Sequence, residues 1–137
     1  MIKSEEQIEE DVFVLLKPYL NKLVEGGVYR NGSRPGDSKA EDAVIAVSNA
    51  SADQIQVGHV YVNIYVPDVN NGTGFLVPAK GRLTELSALH ESLCEYMNER
   101  TTDEYTFYPG KSAKTIPEPN IHQHFVSMDI EFQRTTF

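Results

Sequence analysis

Residues 54–66 read Gln-Ile-Gln-Val-Gly-His-Val-Tyr-Val-Asn-Ile-Tyr-Val, and this stretch decides the fold. Its even positions from Val60 to Val66 are all branched and apolar. Its odd positions mix aromatic with polar side chains: His59, Tyr61, Asn63 and Tyr65. Because successive side chains of a strand point to opposite faces, one face suits a core and the other suits water, a helix edge or another subunit.

A second long strand lies near the end of the sequence. Within the segment His122–Thr135, the even positions 126–132 are apolar and the odd positions 127–133 are polar. The segment Ala43–Asn49 is also strand-like, and a turn at residues 49–53 makes it a hairpin partner for the central strand. The sequence therefore predicts a sheet with one buried face and one solvated face.

Two segments have the spacing of amphipathic helices. Ser4 and Gln7 are spaced as a capping box, and apolar residues then recur every three or four positions as far as Leu23. Pro18 predicts a kink or a break into two shorter helices, because proline lacks the backbone donor. A second helix is predicted after Pro78, ending near Asn98, from the apolar stripe Leu83, Leu86, Leu89, His90, Leu93, Tyr96 and Met97.

Short strands at Val28–Arg30 and Glu104–Tyr108 complete the order helix, three strands, helix, two strands. This order predicts an α+β fold in which two helices pack on one face of a mainly antiparallel sheet. A mixed sheet also fits, because the second helix could cross over between parallel strands. Residues 31–42 and 109–120 are rich in turn formers and are expected to be long loops of a single domain, residues 1–137.

The composition argues against several classes of protein. The net charge of −8 would repel a phosphate backbone and the basic residues form no stripe, so no specific nucleic-acid binding is expected. No apolar run approaches the roughly 20 residues of a membrane-spanning helix. The acidic N-terminus lacks signal-peptide features and Cys94 is the only cysteine, so we expect a protein that is cytoplasmic when made.

The histidines are the main candidates for a metal site. His122 and His124 are two apart in the last strand, so both are expected on one face, where His59 or Asp68 could add a ligand. The spacing fixes no third ligand, and a His-X-His pair at a strand end is more often structural. We therefore predict no bound metal and no other cofactor.

No set of residues has the pattern of a catalytic site. Cys94 lies beside Leu93 and Met97 within the second helix, away from the helix N-terminus that would lower a thiol pKa, so a buried apolar role is expected. Common phosphate-binding, hydrolase and metalloprotease motifs do not occur in the sequence. We expect that the chain is not an enzyme.

The layout of the elements is similar to that of a known family. An opening helix of the form Val12-Phe13-Val14-Leu15-Leu16-Lys17-Pro18 precedes the short strand Val28-Tyr29-Arg30 and a loop with the pair Arg34-Pro35. The long central strand, a second helix that begins near Gly81-Arg82-Leu83 and a long last strand extend the similarity. In these features the chain resembles the tail-terminator, or tail-completion, proteins that join head and tail in long-tailed bacteriophages and prophages.

The resemblance implies a non-enzymatic subunit of a ring, commonly hexameric, that joins the tail tube to the head of a virion. Its partners would be further copies of the chain, tail-tube proteins and head-completion proteins. The contact residues would come from the long loops and from the mixed face of the central strand: Arg34, Pro35, His59, Tyr61, Tyr65, Lys111 and Lys114. A small cytoplasmic module that binds a protein or a ligand without catalysis is the alternative.

Overall fold

A six-stranded sheet with helices on one face is the framework of the structure, a computed structural model that describes residues 1–49 and 54–136. Most of the turn predicted at residues 49–53 lies outside the described residues. The helices are α1 (Glu5–Asn21), α2 (Lys80–Ser87) and α3 (His90–Asn98), and a 3-10 turn spans Pro119–Ile121. The strands are β1 (Val28–Arg30), β2 (Asp42–Asn49), β3 (Ile55–Pro67), β4 (Val69–Asn70), β5 (Leu76–Val77), β6 (Tyr105–Pro109), β7 (Lys114–Glu118) and β8 (Gln123–Thr135).

The sheet is mainly antiparallel and mixed, which confirms the predicted α+β class. Its strand order is β1-β2-β3-β8-β6, and β7 pairs with β8 on the same side as β6. β1 runs parallel to β2, whereas the other pairs in this sheet are antiparallel. Val60 on β3 lies opposite Val47 on β2 and Ile130 on β8, so the central strand is paired on both sides.

The helices bury the even-numbered face of the central strands. Val60, Val62 and Ile64 are fully buried, as are Met128 and Ile130 of β8. This alternation confirms the two-faced strand pattern predicted from the sequence. The helices contribute a matching set of buried side chains: Ile8, Val12, Leu16, Leu20, Leu83, Leu86, Leu93 and Met97.

α1 continues without a break through Pro18, so the predicted division into two shorter helices is wrong. The capping box is confirmed: the Ser4 side chain accepts from the Gln7 backbone, and the Gln7 side chain accepts from the Ser4 backbone. Pro18 lies in the last turn, where its missing N–H would have paired with the Val14 carbonyl. The Val14 side chain is on the exposed side of the helix, where water can bind the freed carbonyl.

The second helical segment consists of two helices, α2 and α3, separated at Ala88 and Leu89. The Leu89 backbone N–H donates to the Leu86 carbonyl, which tightens the turn between them. The segment crosses over as the sequence allows: β3 and β6 both run antiparallel to β8, so they are parallel to each other. No helix among the described residues has the length and apolar character needed to cross a membrane.

Two segments that were not predicted as strands contain them. The segment after Pro67 forms the hairpin β4–β5, and the segment after Pro109 forms β7 and the 3-10 turn. Pro117 is tolerated within β7 because that strand pairs only with β8 and leaves its other edge unpaired within the described sheet. The predicted contact loop at residues 109–120 is therefore in part an edge strand.

Candidate interaction surfaces

The odd-numbered side chains of β3 and β8 form a sheet face that lies opposite the helices. We call this surface the open face, and it is defined by His59, Tyr61, Asn63, Tyr65, Phe125, Ser127 and Glu131. All of these side chains are half-buried except Glu131, which is exposed. A sheet face left uncovered by helices is open to water or to another molecule.

Aromatic rings give the open face its apolar character. The His59 ring stacks on the Tyr61 ring with centroids 5.7 Å apart, and the Tyr65 and Phe125 rings lie 4.9 Å apart. Between these pairs, the Asn63 side-chain oxygen is buried with no hydrogen-bond partner among the described residues. A buried acceptor without a donor costs about 1–3 kcal/mol, so the centre of the open face is incompletely satisfied in the isolated chain.

Arg34 and Pro35 lie at one end of the open face, beside Tyr65, so the structure brings these three predicted contact residues together. The Arg34 guanidinium lies over the Tyr65 ring, 4.3 Å from its centroid. It also donates to the Asp42 carboxylate at 2.8 Å and to the Gln123 side-chain oxygen at 2.9 Å. Its Nε and Nη2 groups thus bind within the chain, and Arg34 anchors the loop of residues 31–41 onto the sheet.

Burial and hydrogen bonding shift the pKa values of Asp42 and Tyr65 at this end of the open face. Burial alone would raise the pKa of the Asp42 carboxyl, but hydrogen bonds from Ser38, the Gly27 backbone and Arg34 outweigh it and lower that pKa. Burial raises the pKa of the Tyr65 phenol. Asp42 is therefore held as a carboxylate, and Tyr65 presents a neutral hydroxyl.

His59 and His124 lie beside two different carboxylates, and His90 contacts the backbone of one of the same residues, Asp129. His59 Nδ1 is 2.7 Å from Asp129, and His124 Nδ1 is 2.7 Å from Asp68. The predicted placement of His122 and His124 on one strand face is wrong, because β8 begins at Gln123 and His122 occupies a left-handed turn with φ of 54°. No group of three or more metal-ligating side chains comes together within residues 1–49 and 54–136.

The two predicted lysines lie on the β7 side of the sheet. Lys114 is opposite Ser127, so its side chain is on the side of the open face, and Lys111 belongs to a bulge in which residues 110–113 lie opposite residues 128 and 129. The Lys111 backbone N–H donates to the Asp129 carboxylate at 3.3 Å. Both lysine side chains are exposed at this edge, far from Arg34 on the strand register.

The hairpin β4–β5 is a second apolar surface, which the sequence prediction missed. We call residues 69–77 the arm. Phe75 is 75% exposed, Leu76 50% and Val69 46%. Gly72 and Gly74 have φ of 91° and 87°, left-handed values that favour glycine in a turn. An Asn-Gly pair flanked by Val69 and Leu76 is the signal that could have identified this hairpin.

A cleft of about 680 Å³ lies between α3 and the bulge that follows β6. We call it the α3 cleft. His90, Cys94 and Gly110 line it, and three carboxylates form part of its wall: Glu91, Glu95 and Glu99. Glycine is required at position 110, because a Cβ there would collide with the Asp129 backbone.

The chemistry of the cysteine in this cleft does not suit nucleophilic catalysis. His90 Nε2 is 2.8 Å from the Asp129 carbonyl and 3.5 Å from Cys94 Sγ. Because a carbonyl only accepts, that nitrogen carries its proton toward Asp129 and cannot take one from the thiol. Burial raises the pKa of the Cys94 thiol, and the Asp129 carboxylate raises it further. The group is kept as a thiol.

Three surface features of the described chain suit contact with other molecules: the open face, the arm and the α3 cleft. In comparison with known proteins, neither a protein-family model nor a curated protein gives a significant match to this chain.

Proposed function

We propose that this chain is a structural subunit of a phage or prophage neck, which assembles with copies of itself into a ring between the tail tube and the head. The observation that carries the proposal is that one small chain leaves two different apolar surfaces uncovered. These are the aromatic open face and the arm with Phe75 at 75% exposure. The resemblance in element order supplies the virion setting, and the confirmed α+β order supports it.

Exposing apolar groups to water costs free energy. Burying them gains roughly 25 cal/mol per Å², so contiguous exposed apolar groups favour association. Tyr61, Tyr65 and Phe125 are aromatic residues of the kind enriched at the cores of interfaces. A partner that covered the open face would remove these rings from water, as the helices do for the opposite face.

Two different patches on one chain favour a ring over a simple dimer. A symmetric dimer uses the same patch on both subunits, whereas contact between unlike patches repeats head to tail and closes when the rotation allows. The net charge of −8 also suits a ring whose lumen passes DNA without binding it.

A second candidate function is a small ligand-binding module, and the α3 cleft favours it. A volume of about 680 Å³ lies within the range of small-molecule sites, roughly 300–1,000 Å³. In that case the protein would remain monomeric, and a bound small molecule would raise its melting temperature.

The proposal is tested by multi-angle light scattering over a range of protein concentrations, followed by negative-stain electron microscopy. We expect a species of several subunits and annular particles with a central opening. The sample is also mixed with a phage tail-tube protein, since such subunits can require the tube for assembly. A strict monomer at the highest concentration, both alone and with the tube protein, would reject the ring.

A further inference from the structure

We propose that the arm of one copy inserts Phe75 into the α3 cleft of the next copy. This inference rests on the proposed function and names the contact that would propagate the ring. Each chain carries both halves of this contact. Phe75 at the tip of the arm is apolar and exposed, and the α3 cleft has an apolar floor and an acidic wall.

The arm has the properties of an element that is completed by a partner. Its two strands pair only at Val69 with Val77 and at Asn70 with Leu76, and an isolated two-stranded hairpin is marginally stable in water. The hydrophobic core cluster of the described residues does not include Phe75, Leu76 or Val69. Seating Phe75 in a cleft would bury the most exposed ring of the described chain and would order the hairpin.

The α3 cleft offers a complementary site. Cys94 and Pro109 give it apolar surface, and Gly110 lets the bulge backbone lie close to β8, where a Cβ would collide with Asp129. Its volume of about 680 Å³ can hold an aromatic side chain together with neighbouring arm residues. The cleft is therefore large enough for the tip of the arm.

Charge complementarity favours a second copy as the occupant. Within the described residues, Glu91 and Glu95 on the cleft wall take part in no ion pair, and Glu99 meets only Arg100, at 3.8 Å. The segment from the arm to the start of α2 carries no acidic residue, and its one charge is the exposed Lys80, which also has no ion pair in the described structure. An approaching arm would thus bring a cation toward an acidic surface.

The two surfaces are separate on one subunit, as a head-to-tail contact requires. The arm follows the end of β3, where Pro67 lies opposite Gln123, whereas the cleft lies beside Asp129. At about 3.3 Å per residue along β8, these positions are roughly 20 Å apart. Contact between unlike patches repeats around a ring. Each arm then binds the cleft of the next copy, and no arm or cleft in a closed ring is left empty.

The native cysteine makes a direct test possible. A Phe75→Cys variant would place a second thiol at the arm tip, opposite Cys94 of the neighbouring copy. After oxidation at alkaline pH, chosen because burial raises the pKa of Cys94, we expect a ladder of covalent multimers on a non-reducing gel. The ladder should collapse to monomer on reduction, and a Phe75→Cys/Cys94→Ser double variant should not form it.

Val14→Cys is the matched control, because Val14 is also exposed, at 61%, but lies on α1 outside the arm and the cleft. It should give no ladder. Equal cross-linking by Val14→Cys, or none by Phe75→Cys in a protein that light scattering shows to be assembled, would overturn the arm contact. Far-ultraviolet circular dichroism establishes that each variant is folded.

A second measurement does not depend on thiol chemistry. Phe75→Ser should raise the concentration at half-assembly on the order of tenfold or more, as expected for a central aromatic contact. Lys80→Glu should weaken assembly, and addition of Glu91→Lys and Glu95→Lys should restore it by reversing both charges. A concentration at half-assembly that Phe75→Ser leaves unchanged rejects the arm contact and keeps the proposed function, whereas a strictly monomeric wild type rejects both.

Discussion

The Arg34 guanidinium donates to the Asp42 carboxylate at 2.8 Å, and Asp42 is only 1% exposed. The carboxylate also accepts from the Ser38 hydroxyl at 2.5 Å and from the Gly27 backbone at 2.8 Å. These bonds join the loop of residues 31–41 to the start of β2. Arg34 is thus a structural residue at the end of the open face, and its guanidinium lies over the Tyr65 ring.

Replacing Arg34 with alanine should destabilise the protein. The change leaves the Asp42 carboxylate buried without its cation, and breaking such a pair costs about 2–4 kcal/mol once the remaining donors are considered. Urea unfolding followed by circular dichroism measures the loss. Lys39→Ala is the control, because Lys39 lies in the same loop, is exposed and has no ion pair in the described structure. Equal midpoints for the two variants would contradict a structural role for Arg34.

Acid should weaken the fold through the same carboxylate. The pKa of Asp42 is lower in the folded protein than in the unfolded chain. Its contribution to the free energy of unfolding is therefore fully present above the unfolded pKa of about 4, and it is lost as the pH falls through the folded pKa. The urea midpoint should therefore decline as the pH falls through and below about 4. The decline should be shallower in Arg34→Ala, because the folded pKa of Asp42 then lies closer to its unfolded value. An identical pH profile for both proteins would count against this linkage.

Period-two alternation predicted β3 and β8 because the buried and half-buried faces of these strands differ along most of their length. Other elements were not predicted, because their local sequence favours a different structure. Pro117 and Pro119 favour a loop, yet β7 forms because it is an edge strand held by β8. The apolar helical spacing continues through Leu89, so the break between α2 and α3 depends on a turn that the spacing cannot indicate.

Some residues of the candidate surfaces could be predicted from the sequence and others could not, depending on whether their neighbours are set by a local pattern or by the fold. The shared face of Tyr61 and Tyr65 could be predicted because a strand fixes which side chains point the same way. Arg34 was predicted as a contact residue, and its partners within the chain, Asp42 and Gln123, are brought to it only by the fold. The α3 cleft joins residues of a helix to a bulge distant in sequence, so no local pattern could predict it.

A charge placed on the open face should prevent assembly while leaving the fold intact. Tyr61 is half-buried on this face, opposite Ala46 and Asp129, and lysine in its place can extend its ammonium into water. We expect Tyr61→Lys to shift the light-scattering mass toward the monomer. Val14→Lys, on the exposed side of α1, should leave the mass unchanged. If both variants assemble like the wild type, the open face is not an interface.

Gly58 should be essential to the register of the three central strands. It lies opposite Asn49 on β2 and Phe132 on β8, and a Cβ at this position would collide with the Ser48 carbonyl and lie 2.9 Å from the Phe132 ring. Because Phe132 is packed in the core and the carbonyl is backbone, neither can move freely, and Gly58→Ala should cost about 2–3 kcal/mol.

The control for this position is Gly36→Ala, because a Cβ at Gly36 meets nothing within 4 Å and its φ is not left-handed. This substitution reduces only the freedom of the unfolded chain, so it should be neutral or stabilise by up to about 1 kcal/mol. Thermal unfolding of the two variants separates backbone crowding from the general effect of adding a methyl group. A Gly58→Ala protein as stable as Gly36→Ala would mean that β2 and β8 can separate to admit a side chain, and that the register around β3 is looser than its contacts indicate.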